Sequence, residues 1–134
     1  MDSDISSVLR TTLVNLGVSP EKVGKFDLHS SLEMHFHNMD PIIISVNGGR
    51  VWVWSAIKSL SHYNIEYHAP KLLLSLQGVL PWVVTGQAVL GKGDCYEIKA
   101  LADEEAIASP QKFSELLDGF YNVAADVYRI INNR

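Results

Sequence analysis

The chain has 134 residues and one cysteine, Cys95. A single thiol allows neither an internal disulfide nor a cysteine-based metal site, and it fits a reducing compartment. Basic residues are sparse too: 11 Lys and Arg stand against 15 Asp and Glu, for a formal charge of -4. They are scattered, whereas binding to phosphate backbones requires clustered cations, so a nucleic-acid partner is excluded. No apolar run approaches the roughly 18 residues of a membrane span, and the start "MDSDISSVLR" is acidic and lacks the apolar stretch of an export signal. The expected location is the cytoplasm. Also missing are a Gly-x-Ser-x-Gly elbow, a phosphate loop and a His-Glu-x-x-His element. The glycines of "GQAVLGKGD" lack phosphate-loop spacing and read as turn chemistry.

The residues that remain offer little for catalysis. His35 and His37 share the parity of Glu33 and His29 on an alternating segment. At roughly 3.3 Å per residue, however, His29 and His37 would stand about 26 Å apart on a straight strand, which leaves at most two ligands and no third. Asp103, Glu104 and Glu105 form an acidic run in a loop, where solvation is the ordinary role. The expectation is a protein without metal, cofactor or catalytic residues.

With 47% apolar residues, the chain is long enough for one domain, residues 1–134, that buries about two thirds of its unfolded surface. Ile5, Val8, Leu9, Leu13 and Leu16 recur at helical spacing, with Asp2, Ser3 or Asp4 as N-cap and Gly17 as terminator. "SSLEMHFH" alternates as a half-buried strand, with Leu32, Met34 and Phe36 on one side. "IIISV" is a second strand, and "NGG" turns the chain into a third, "RVWVWSAI". The next segment predicts either a helix from near His68 or a longer one bent at Pro70, since proline costs about 3 kcal/mol inside a helix but is tolerated in its first turn. "PWVVTGQAVLG" and "CYEIKALA" read as a second hairpin. Ser109 caps a last helix with Pro110 at its first position and a wide stripe from Phe113 to Ile131. The order helix, three strands, helix, two strands, helix predicts an α+β two-layer domain with a twisted antiparallel sheet.

Val51, Trp52, Val53 and Trp54 are apolar without alternation, so both faces of the third strand need cover. One parity faces the helices and the other a surface completed from outside; the pattern is compatible with either assignment. Val14 sits opposite the stripe of its helix, and "LLLSLQGVLPWVV" holds more apolar side chains than one core stripe uses. Apolar surface of this extent marks protein contacts.

"VGKFDLHSSLEMHFHNMDPIIISV", "VWVWSAI" and "KFSELLDGFYN" resemble the InvB/SpaK-type, class IB, chaperones of bacterial type III secretion systems. The resemblance rests on Gly24, Asp27, His29 and Ser30, on Trp52 and Trp54, and on Phe113, Leu117, Gly119, Phe120, Tyr121 and Asn122. It covers essentially the whole chain, with Pro70 as a departure where the family has an uninterrupted helix. It implies a cytoplasmic homodimer, devoid of nucleotide hydrolysis, that holds the N-terminal segment of one or more effectors as an extended chain and keeps them competent for the secretion ATPase. The effector surface is then expected to use Val8, Val14, Leu32, Met34, Phe36, Ile42, Ile44, Trp52 and Trp54, in a groove between the first helix and the three-strand meander. The dimer contact is expected at Leu73, Leu76, Leu80, Trp82 and Val84. The competing reading is a small-molecule-binding α+β domain in which the tryptophan face and His35 or His37 line a closed apolar pocket; the lack of convergent polar groups favours the chaperone.

Overall fold

The computed structural model describes residues 2–17 and 31–133, so Gly24, Asp27, His29 and Ser30 lie outside the described residues. In chain order the elements are α1 (Asp2–Asn15), β1 (Leu32–Met34), β2 (Ile42–Asn47), β3 (Arg50–Ile57), α2 (His62–Leu76), β4 (Val89–Lys92), β5 (Tyr96–Leu101) and α3 (Pro110–Asn132), with a 3-10 turn at Ala106–Ala108. The five strands form one antiparallel sheet in the order β1-β2-β3-β5-β4. This is the α+β arrangement that the sequence predicts. Gly48 and Gly49 both adopt positive φ, as a two-residue hairpin between β2 and β3 requires.

The alternation of β3 separates two environments. Val51, Val53, Ser55 and Ile57 are buried, as are Ile42, Ile44, Ile98 and Ala100, which share their face through the register Ile44↔Val53↔Ala100. The helices cover this side: α3 lies on β3, and both α1 and α2 pack against α3. The face of α3 that does this is the predicted stripe, with Phe113, Leu116, Phe120, Ala124 and Val127 fully enclosed. Ser109 caps the helix by accepting the Lys112 N–H at 3.3 Å, and Pro110 takes the first position, where a missing N–H costs nothing.

Two local readings change, and of the two alternatives for the second helix the longer one forms. Leu16 lies beyond the end of α1 and is exposed; Thr12 is buried in its place, because its hydroxyl donates within the helix to the Val8 carbonyl at 2.8 Å and needs no water. α2 runs continuously from His62 with Pro70 inside it, started by a capping box in which Ser61 accepts from the Asn64 N–H and Asn64 accepts from the Ser61 N–H. Pro70 is exposed, and its missing N–H leaves the helix one backbone hydrogen bond short at this point. Finally, "PWVVTGQ" is not strand. Trp82 has φ 65°, Leu80 N–H donates to the Gly86 carbonyl at 2.8 Å, and only Val83 bridges to Ala102 before β4 begins at Val89. Pro81, which cannot donate to a ladder, and Gly86 at φ 76° fold this stretch back on itself.

Candidate functional site

Two features of the sheet offer contact to another chain. The first is β1, an edge strand of three residues whose outer side has no strand neighbour among the described residues. The backbone groups along an edge strand are a template for a further strand. The second is the sheet face turned away from the helices. Across it run Glu33, Ile43, Trp54, Lys99 and Val89 in one row and Ser45, Trp52 and Leu101 in the next. Trp52 and Trp54 are half-buried there. The Trp54 indole N–H donates to Ser45 Oγ at 3.0 Å, and Lys99 Nζ stands 5.7 Å from the Trp52 ring, so the two rings are held in place while an edge of each meets solvent.

The expected effector residues therefore divide. Leu32, Met34 and Phe36 are half-buried on the helical side of the β1 edge, and Val8 is half-buried on α1. Val14 is 49% exposed, as its position opposite the helix stripe predicts. Trp52 and Trp54 lie on the opposite side of the sheet from α1, so the nine residues do not line one groove; a chain would have to pass the β1 edge to reach both sets. Ile42 and Ile44 are each 1% exposed and belong to the core. They are corrected from contact residues to core residues, because their parity is that of Val51 and Val53.

A third surface lies on α2. Its core side is His68 and Leu72, and half a helical turn away Tyr63, Tyr67, Pro70 and Leu74 form an outward stripe, with Leu73 beside it. Leu74 is 70% exposed, and Val79, just after the helix, is 80% exposed. Of the expected dimer residues, Leu73 and Val84 are exposed, and Leu76 and Trp82 are half-buried. Leu80 is corrected to core: it is 3% exposed and packs so closely on α3 that a Cβ at Gly119 would meet its Cδ2 at 3.0 Å. Trp82 is held by α3, its indole N–H donating to Glu115 Oε2 at 2.7 Å and its ring lying 4.6 Å from Lys112 Nζ.

Comparison with known proteins places the chain in a family. The sequence profile of the invasion protein B family matches residues 17–94. The chain belongs to the invasion protein B family. It is also 29% identical over 120 residues to the surface presentation of antigens protein SpaK of Salmonella typhimurium strain LT2 and to that of Salmonella typhi, with 89% of this chain and 89% of each relative covered. The resemblance to InvB/SpaK-type proteins is thus shown at the level of the family. The matched stretch holds β1, β2, β3, α2 and β4, and hence the open edge, the tryptophan face and the outward stripe of α2.

Other candidate side chains in this family member have partners close by in the chain. His35 is 71% exposed and pairs with Glu33 at 3.3 Å, and no group of three metal-ligating side chains occurs among the described residues. Asp103 accepts the Ala106 N–H at 2.9 Å, and Glu105 pairs with Lys112 at 3.2 Å, so the acidic run shapes the entry to α3. No described helix is long and apolar enough to cross a membrane. Sequence reasoning missed Asp40. Its carboxylate Oδ2 accepts the Tyr128 hydroxyl at 2.6 Å and the Lys58 N–H at 3.2 Å, while its carbonyl accepts from Ser55 Oγ at 3.4 Å. Burial, and then the carboxylate beside it, raise the Tyr128 phenol well above its ordinary range. The one sequence signal was an aspartate before a proline in "NMDP", which reads equally as turn chemistry.

Proposed function

We propose that this protein is a bacterial type III secretion chaperone that acts in the cytoplasm as a homodimer. It binds the N-terminal segment of one or more effectors as an extended chain and keeps them soluble and competent for hand-over to the secretion ATPase. The observation that carries the reading is the β1 edge, which has no outer strand neighbour among the described residues and has apolar side chains to either side of the sheet, in a chain of the invasion protein B family.

The physical case is that an edge strand recognises backbone, which every client shares, while pockets for alternate side chains supply selectivity. Effectors of different sequence can then use one site. The contact surface comprises Val8, Val14, Leu32, Met34, Phe36, Trp52 and Trp54. The second subunit docks through the outward side of α2 and the segment after it, with Leu73, Leu74, Leu76, Val79, Val84 and the exposed edge of Trp82, because an isologous contact buries such surplus on both copies at once. No nucleotide chemistry is assigned to the protein. The small-molecule reading loses its pocket, since His35 is open to solvent and the tryptophans lie on a sheet surface.

The test is co-expression with effectors encoded nearby, followed by affinity capture and limited proteolysis of the complex. Protection of an N-terminal effector segment with a two-to-two or two-to-one mass by light scattering is expected. A monomer at micromolar concentration, or capture of no effector from its own secretion locus, would overturn the reading.

A further inference from the structure

β1 makes three residue pairs with β2 and has no other strand neighbour among the described residues, so its own ladder is a weak hold on its position. The connection from His35 to Pro41 is nevertheless fastened to α3 at two points. The Phe36 ring lies 5.0 Å from the Tyr121 ring, inclined at 45°. Seven residues along the same helix, two turns or roughly 10.5 Å away, the Tyr128 hydroxyl donates to Asp40 Oδ2 at 2.6 Å. Met39, between these points, is buried in the core. Asp40 gathers three separate parts of the chain: α3 through Tyr128, the end of β3 through Ser55, and the turn after it through the Lys58 N–H. Ser55 is fully buried and Tyr128 nearly so. A short hydrogen bond to a carboxylate in such surroundings is among the stronger kinds, and the raised phenol keeps its proton throughout the physiological range.

We infer that the Asp40–Tyr128 pair is a latch that positions the β1 edge for an incoming strand. The inference rests on the reading of that edge as the effector surface. Asp40 and Tyr128 touch no client; they are positioning residues, and they act by fixing where the strand that follows the client's path begins and ends. A three-residue edge that wandered would have to be ordered at the moment of binding, and affinity would fall by the fraction of time it spends in place.

Full-length Tyr128→Phe, Asp40→Ala and Asp40→Asn test it by hydrogen–deuterium exchange and by affinity for the effector segment recovered in the capture experiment. Tyr128→Phe and Asp40→Ala should exchange roughly tenfold faster in the β1–β2 amides, with β5 and the middle of α3 unchanged, and bind the segment roughly tenfold more weakly. Asp40→Asn, which keeps an oxygen acceptor for the hydroxyl but not its charge, should fall between the wild type and Asp40→Ala. Acceleration spread evenly over all strands would mean general destabilisation and overturn the latch, as would unchanged exchange in β1–β2 or unchanged affinity. A photo-crosslinking amino acid in place of Glu33 separates the two levels. If it captures the segment while Tyr128→Phe changes nothing, the latch alone falls. If it captures nothing, the edge is not the site and the latch has no client to position.

Discussion

The two faces of β3 are built from one run of apolar residues and live under different rules. Val51, Val53 and Ile57 are sealed beneath the helices, in line with Ile44 and Ala100 on the neighbouring strands. One residue away on the same backbone, Trp52 and Trp54 lie on an open sheet surface beside Ser45, Lys99 and Leu101. The inner face uses small branched side chains that fill space at crystal-like density. The outer face uses large rings with a polar handle, fixed by a serine and a lysine. A strand made only for stability would carry polar residues on that side. The proposed client surface would account for this difference, since it needs apolar residues on the side of the sheet that the helices leave uncovered.

The largest expected effect comes from violating the inner face. Val53→Asp puts an unpaired carboxylate where no water reaches, at a cost of several kcal/mol. Against a total stability of about 5–15 kcal/mol, the variant should lose its cooperative melt in circular dichroism. A melt within a few degrees of the wild type would mean that this face is not sealed.

Why the sequence reveals one face and not the other follows from the same physics. Periodicity reports that a residue is apolar and where it recurs; burial then follows wherever one direction alone is apolar. In α3 it is, so the stripe from Phe113 to Ile131 was readable, with only Tyr121 half-buried rather than enclosed, and so were the cap at Ser109 and the glycine hairpin. In β3 both directions are apolar, and only the helices, placed by the whole chain, choose the valines. Ile42 and Ile44 went astray for the same reason. Leu80 read as surplus because its partner, Gly119, is distant in sequence, and the strand expected at Trp82 failed because a positive φ at a tryptophan has no local signal. Asp40 gained its role from a tyrosine 88 positions away.

The next effect in size concerns association. Leu74 resembles Val53 in chemistry but is 70% exposed, more open even than the half-buried Trp54, so the comparison extends to α2. Leu74→Asp should leave the fold of the subunit intact, since the side chain makes little use of its own core. In the proposed dimer it buries a charge on both copies of a contact that must exceed roughly 1,000 Å² to be stable, and light scattering should show half the mass. An unchanged dimer would place the interface away from the outward stripe of α2.

Trp54→Ala sharpens the contrast with Val53. A fully buried tryptophan cut to alanine costs about 3–5 kcal/mol; a half-buried one on an open face should cost clearly less, while affinity for the effector segment falls at least tenfold, as for an aromatic anchor. A large loss of stability would return Trp54 to the core. Full binding with a small loss would leave the tryptophan face without a client.

The smallest structural effect is expected at Val14, which makes it the cleanest probe of the client path on the helical side. It stands on α1 half-exposed, while Leu9 and Leu13 of the same helix are buried at 1% each. At 100° per residue the outward side of α1 can accept a charge without disturbing that stripe. Val14→Asp should therefore change stability by no more than about 0.5 kcal/mol, and the dimer should persist by light scattering. Yet if the effector segment crosses α1 after leaving the β1 edge, a carboxylate must lose its water beneath the incoming chain, and capture should fail. The tryptophans and Val14 lie on opposite sides of the sheet, so the two variants report on different stretches of the client. Loss in both means a chain that wraps the edge; loss at Trp54 with full binding at Val14→Asp means one that stays on the outer face, and the reverse confines it to the helical side.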